Sequence, residues 1–332
     1  MVKKQTLSLT PATRVIVPTI TFFDEKGHIH KDANALLMKH LIINKANSIF
    51  VLGSTGEGRF FMDKPEEKQM YLQLVSDTIR KMDPKYPPLL IGSYGENSDQ
   101  AINDAKFCLN EVPTASLVIP PPTKVKLDPQ QQLQFYEPIF QAIKAPIYLY
   151  NNPEAFGGTE ITIEVVNQLK KYANFVGIKD SSGSDDQKKI YLKALTEKFT
   201  ISCGKEGSLA KFLSFVPTNQ RNLIGIIPSI SNIVNTCADI FELGIAGKDS
   251  EMLAKQDELN QFREKVYDAA QSKGKAQRGC KIAFAHLYRD VIPNIPVTVN
   301  PSLIRKIDSI VIDGIKTQTD TLVKKGHITL VK

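Results

Sequence analysis

Short, nearly continuous apolar runs punctuate this chain at 15–20, 48–52, 89–92, 116–119, 147–150, 176–179, 200–203 and 223–227. Continuous rather than alternating hydrophobicity is what a strand carries when both faces of a parallel sheet are covered. Longer amphipathic stretches at 33–43, 65–81, 100–109, 130–143, 162–171 and 185–194 predict the intervening helices. Eight strands alternating with helices predict an α/β fold, a (β/α)8 TIM barrel in preference to a doubly wound sheet, although periodicity alone does not separate closed from open. After the eighth run, segments at 233–243, 250–269, 279–288 and 302–324 predict more helices. The expected organisation is a barrel core over 1–232, then the final barrel helix and a C-terminal helical extension over 233–332.

Composition narrows the function classes. With 332 residues, 42% hydrophobic and 23% charged, the chain has the make-up of an ordinary globular protein with a substantial core. The net charge of +7 is dispersed over short clusters such as Lys170-Lys171 and Lys324-Lys325. That argues against a nucleic-acid track and for a solvated surface that attracts anionic substrates. Cys108, Cys203, Cys237 and Cys280 are far apart and form no zinc or disulfide spacing, which points to reduced thiols and a cytoplasmic protein. The five histidines are scattered and suggest neither a metal centre nor a triad. The N-terminal residues start no signal-type apolar run, and no segment approaches the length of a membrane span, so neither export nor membrane insertion is expected.

Candidate chemistry collects where the predicted strands end. An apolar strand delivers Lys179 to its far end, before Asp180 and the turn Ser181-Ser182-Gly183-Ser184. A lysine entering a polar pocket from an apolar strand loses its proton more readily and attacks a ketone as an amine, whereas most lysines after a strand are simply solvated. Gly53-Ser54-Thr55-Gly56-Glu57-Gly58 follows the second strand. Its hydroxyls and backbone N–H groups suit a carboxylate or phosphate cup, or equally a capped turn, and its spacing is not that of a nucleotide P-loop. Tyr148 and Tyr150 share one face of the fifth strand, with only Tyr150 at the rim. There a phenol serves either proton transfer or interior packing. Glu206 and Ser229, after the seventh and eighth strands, are candidates for binding substrate hydroxyls, or an ordinary loop carboxylate and helix cap. Cys203 has no local base and is read as packing.

Gly53-Ser54-Thr55-Gly56-Glu57, Tyr150-Asn151-x-Pro153 and Gly177-Ile178-Lys179-Asp180, in this order and at these strand ends, resemble the pyruvate-dependent lyase and synthase family. That family contains N-acetylneuraminate lyase, 2-keto-3-deoxy-sugar-acid aldolases and dihydrodipicolinate synthase. The resemblance covers nearly the whole barrel. It implies a Schiff base between Lys179 and pyruvate or another 2-oxo acid, with Ser54 and Thr55 on the carboxylate and Tyr150 transferring protons. It further implies Gly204, Glu206 and Ser229 as contacts for sugar hydroxyls, an aldehyde as the second partner, no cofactor or metal, and a homotetramer or dimer.

Departures from the family pattern shape the functional reading. Ala155 stands where dihydrodipicolinate synthases carry an arginine for the second substrate's carboxylate, which disfavours lysine biosynthesis. Pro120-Pro121-Pro122-Thr123 replaces the Pro-Tyr-Tyr-like segment that supplies a tyrosine from a neighbouring subunit, so water, substrate or Thr123 must complete the relay. Lys205 and Pro228 also set the substrate end of the pocket apart. The leading expectation is a class I aldolase or lyase for a 2-keto-3-deoxy sugar acid or an N-acetylneuraminate-like substrate. The alternatives are a dihydrodipicolinate synthase-like condensation, a 2-keto acid dehydratase and a non-catalytic 2-oxo-acid sensor.

Overall fold

Alternation of strand side chains between two apolar layers shapes the centre of the molecule. A computed structural model describes residues 11–87, 89–268, 275–297 and 309–331. The strands are β1 (Arg14–Pro18), β2 (Ser48–Val51), β3 (Leu90–Gly92), β4 (Ser116–Ile119), β5 (Ile147–Asn151), β6 (Phe175–Asp180), β7 (Thr200–Cys203) and β8 (Gly225–Ile226). They pair in parallel, each with the next, and β8 closes on β1 through Arg14↔Gly225 and Val15↔Ile226. Ile16, Phe50, Leu90, Val118, Tyr148 and Tyr150 fill the interior. Their strand neighbours, among them Val15, Ile49, Ile91, Leu117 and Leu149, join the larger outer core beneath the helices. This two-sided burial explains why the strands read as continuous apolar runs.

The predicted (β/α)8 TIM barrel is thus the observed fold. Its helices are α1 (Lys31–Ile43), α2 (Pro65–Met82), α3 (Ser98–Glu111), α4 (Pro129–Ala142), α5 (Ile163–Leu169), α6 (Asp185–Leu192), α7 (Leu209–Ser214) and α8 (Thr236–Ile245). Local chemistry sets their starts. Asn97, Thr162 and Ser184 cap α3, α5 and α6, and Asp128 with Gln131 forms a reciprocal capping box at α4. Helix α7 has no counterpart in the sequence expectation. At six residues it is too short to show a helical period, and its buried Leu209, Ala210, Phe212 and Leu213 hold it by tertiary packing.

Three further helices, α9 (Asp249–Asp268), α10 (Lys275–Leu287) and α11 (Ser309–Lys324), form the extension. Helix α9 packs on α8, α10 and α11, while α10 also meets the short turn Ser229–Asn232 that follows β8. The expected stretches 302–308 and 269 lie outside the described residues. Helix α10 begins four residues before its expected start at Gly279.

Candidate active site

Strands β5 and β6 run in register, with Tyr150 opposite Lys179. In-register neighbours on parallel strands share a face, so both side chains enter the barrel interior. Lys179 is 4% exposed. Its Nζ lies 3.8 Å from the centroid of the Tyr150 ring and 5.2 Å from that of Phe50. The ring quadrupoles hold the amine inside the barrel, away from solvent. Phe156, from the loop after β5, packs edge-on against Tyr150 with centroids 5.0 Å apart.

The two interior tyrosines of β5 have opposite electrostatics. Burial raises the Tyr150 phenol, but the Lys179 charge and hydrogen bonds from Ser54, Asn152 and Lys179 outweigh it and bring the pKa down to about 8. The Asn152 Nδ2 donor stands 3.3 Å from the phenol oxygen. Tyr148, one pleat below, is pushed upward by burial, and its hydroxyl accepts the Ala12 N–H at 2.5 Å. Tyr150 is therefore suited to moving a proton near neutral pH, and Tyr148 to plugging the amino-terminal end of the barrel.

The loop after β2 brings Ser54 and Thr55 to the rim. Ser54 is exposed and Thr55 is buried, with its Oγ1 2.8 Å from Ser229 Oγ on the loop after β8. A sharp reversal makes this possible. Leu52 has φ 55° and its carbonyl accepts the Tyr94 hydroxyl at 2.8 Å. A Cβ on Gly58 would come within 1.8 Å of that carbonyl, so the turn requires glycine there. Ser229 thus stands beside the hydroxyl cup, and Thr55 and Ser229 meet although they are 174 positions apart in sequence.

The remaining expected contacts separate. Gly204 lets the loop after β7 approach that after β6, since a Cβ would sit 2.0 Å from Ser181 Oγ, and its N–H donates to the Asp180 carbonyl at 2.7 Å. Glu206 is buried, its carboxyl pushed upward by that burial. One of its oxygens accepts the Ile230 N–H at 2.8 Å and the other accepts the Tyr267 hydroxyl of α9. Asp180, next to Lys179, is also raised by burial, and it accepts from Asn151 Nδ2 at 2.7 Å and Ser182 Oγ at 3.1 Å. It ties the loops after β5 and β6 together. Thr123 donates its hydroxyl to Glu96 at 2.6 Å and its N–H to the same carboxylate at 3.0 Å. That hydroxyl is committed to the loop after β3.

Burial pushes the Cys203 thiol up to about 12, in keeping with packing. Among the described residues no cluster of three or more His, Cys, Asp or Glu side chains is arranged for a metal ion. Among the same residues no helix is long and apolar enough to cross a membrane. A cleft of about 800 Å³ opens elsewhere, lined by Arg59, Phe60, Lys68, Glu96 and Lys124 among others. Lys179 and Tyr150 are not among its lining residues, so volume alone does not locate the chemistry here.

Sequence reasoning missed the contribution of the extension. Gln277 Nε2 on α10 donates to the Ser54 carbonyl at 3.0 Å, and Lys281 Nζ meets Glu57 Oε1 at 2.5 Å. The available signal was a lone lysine inside the apolar run Cys280-Lys281-Ile282-Ala283-Phe284.

A closed parallel barrel with a buried lysine and an acidified tyrosine at the carboxyl ends of adjacent strands has the architecture of a TIM-barrel enzyme. The dihydrodipicolinate synthetase family matches residues 11–282. The chain belongs to that family, as the three motifs implied. It is 33% identical over 204 residues to the 4-hydroxy-tetrahydrodipicolinate synthase of Thermosynechococcus vestitus, covering 60% of this chain and 64% of that protein. Matches to several curated relatives span about half to two thirds of their lengths.

In fold it is similar to YagE, a prophage protein of the dihydrodipicolinic acid synthase family from Escherichia coli K12, solved in complex with pyruvate. That similarity has a TM-score of 0.77 at 22% identity, over 94% of this chain and 98% of that one. It is likewise similar to a catalytic lysine mutant of the Ruminococcus gnavus sialic acid aldolase, with a TM-score of 0.77 at 16% identity over 94% and 97% of the two chains.

Proposed function

We propose that this protein forms an imine between Lys179 and the ketone of pyruvate or another 2-oxo acid. With that imine it cleaves or forms a 2-keto-3-deoxy sugar acid or an N-acetylneuraminate-like substrate. The observation that carries this reading is the buried pairing of Lys179 with Tyr150 across β5 and β6, amine over phenol.

In the cleavage direction the Lys179 amine adds to the C2 ketone and water leaves, giving a protonated imine. The electron pair of the breaking C3–C4 bond flows into that imine, producing the enamine of pyruvate and an aldehyde. Tyr150, as phenolate, takes the proton of the C4 hydroxyl. Protonation of the enamine at C3 and hydrolysis of the imine release pyruvate and restore the amine. Ser54 and Thr55, with Ser229 beside Thr55, hold the substrate carboxylate, and Gly204 borders the aldehyde end, where Glu206 acts through its bonds to Ile230 and Tyr267. Because Thr123 is engaged by Glu96, exposed Ser54 beside Tyr150 is the better candidate for passing protons to solvent.

A condensation of the dihydrodipicolinate synthase type is the second reading, favoured by the name of the Thermosynechococcus relative. Ala155 weighs against it, because a methyl group offers no bidentate donor for a second carboxylate. We assign the protein to the cytoplasm, on the strength of four buried, unbridged cysteines, and to a homotetramer or dimer, to be read by sedimentation.

The test is intact mass after pyruvate and borohydride, with peptide mapping. A pyruvyl addition on Lys179, absent from Lys179→Ala, supports the imine and justifies screening keto-sugar acids for aldehyde release. Folded wild-type protein that gains no mass sinks the proposal.

A further inference from the structure

The loop that carries Ser54 and Thr55 is strained at both ends. Leu52 at φ 55° and Glu57 at φ 56° are non-glycine residues in the left-handed region. Such residues are strained and persist only where their surroundings hold them. Tyr94 secures the Leu52 end from within the barrel. The Glu57 end is secured from outside, by the C-terminal extension.

Helix α10 lays one face across this loop and across the loop after β8. Gln277, Cys280 and Lys281 recur at the spacing of a single helical face. Gln277 binds the Ser54 carbonyl at 3.0 Å, Cys280 Sγ approaches the Ser229 carbonyl at 3.6 Å, and Lys281 pairs with Glu57 at 2.5 Å. The Lys281 and Glu57 side chains are 0% and 4% exposed, so solvent scarcely screens the pair. Both hydroxyl-bearing rims of the cup, Ser54-Thr55 and Ser229, are thus backed by the same helix.

We propose that Lys281 is a positioning residue for the 2-oxo-acid carboxylate pocket, acting through Glu57 to hold Ser54 and Thr55 in place. This rests on the imine reading above. Lys281 contributes no atom to the reaction. Without its charge, Glu57 loses the buried ion pair that ties it to α10, and the strained turn is held less firmly. Hydroxyl donors that bind a carboxylate work through preorganisation, so the loss falls on binding of the keto acid, while the amine of Lys179 on β6 keeps its place.

The experiment is borohydride trapping across a range of pyruvate concentrations, which separates half-saturation from the limiting rate. For Lys281→Met, half-saturating pyruvate rises roughly tenfold to a hundredfold with little change in limiting rate. Lys281→Arg restores much of the affinity, because it keeps the charge. Glu57→Gln combined with Lys281→Met loses less than the two single variants together, because they share one contact. This neutral pair, with Lys281→Arg, also carries the test if Lys281→Met does not fold.

Folded Lys281→Met with wild-type half-saturation, or a double variant whose losses multiply, overturns the positioning role alone. Wild-type protein that traps no pyruvate overturns the imine reading and this inference with it.

Discussion

Among the described residues four lysines are buried, and they divide into two kinds. Lys68, Lys188 and Lys281 each meet a carboxylate, at Asp104 (2.5 Å), Asp185 (3.0 Å) and Glu57 (2.5 Å). Lys179 meets the faces of Tyr150 and Phe50 instead. A carboxylate takes up the ammonium hydrogens and fixes the side chain as a tether. Aromatic faces and the Tyr150 phenol oxygen hold the amine without a carboxylate, which leaves it geometrically open to a ketone. Under the proposed assignment of Lys179, the identity of what covers a lysine, rather than its burial, marks the reactive one.

The sharpest way to break this contrast is Lys179→Ala. It is expected to abolish the trapped adduct and turnover while leaving the three tethered lysines and the fold in place, as read by intact mass and circular dichroism. Next comes Tyr150→Phe, which keeps the ring face but removes the phenol. Adduct formation on Lys179 persists, and aldehyde release slows by roughly 10²–10⁴-fold. The wild-type rate of cleavage rises with pH through about 8 as the phenolate forms, then levels off. Tyr150→Phe loses that inflection, and a wild-type profile flat across this range would contradict the assignment of Tyr150 as base.

Lys68→Met tests the tether side of the comparison. It leaves Asp104, which also accepts the Tyr94 N–H at 3.0 Å, without its counter-ion. It is expected to cost roughly 3 kcal/mol in denaturant unfolding. Half-saturating pyruvate should move less than in Lys281→Met, because Asp104 reaches the Leu52 end of the cup only through Tyr94. A matching loss of pyruvate affinity would mean that any buried tether affects the cup, and Lys281 would lose its distinction.

The effect furthest from the site concerns a buried base that meets a hydroxyl. His40 on α1 lies 2.8 Å from the Tyr288 hydroxyl, and burial brings its pKa down to about 4 from 6.5. Between those values the unfolded chain binds a proton that the native state does not, so stability rises with pH across that window by roughly 3 kcal/mol. Above the window neither state is charged, and below it both are, so this contribution is flat on either side. His40→Gln removes the slope, which unfolding midpoints at about pH 4.5 and about pH 7 would reveal.

The eight apolar runs, their continuous character and the position of Lys179 at the end of the sixth are legible in the sequence. Each depends on contacts local to one strand or on the covering of both sheet faces. The same holds for Tyr150, whose placement at the rim follows from strand alternation. Helix α7 and the length of α10 were not legible, because buried side chains from other elements stabilise those turns more than their own periodicity does.

Closure of the barrel, the meeting of Thr55 with Ser229 and the grip of Lys281 on Glu57 were decided only by tertiary structure. The last pair is separated by 224 positions. No local pattern records such a contact, because the chain between its ends is folded into many other elements. Excluding water penalises each of the two charges alone and strengthens their attraction, so the pair is sustained only where the fold brings both together. The resemblance in the motifs pointed to the chemistry of the cup, while the packed helix behind it shows how a strained loop is held in place.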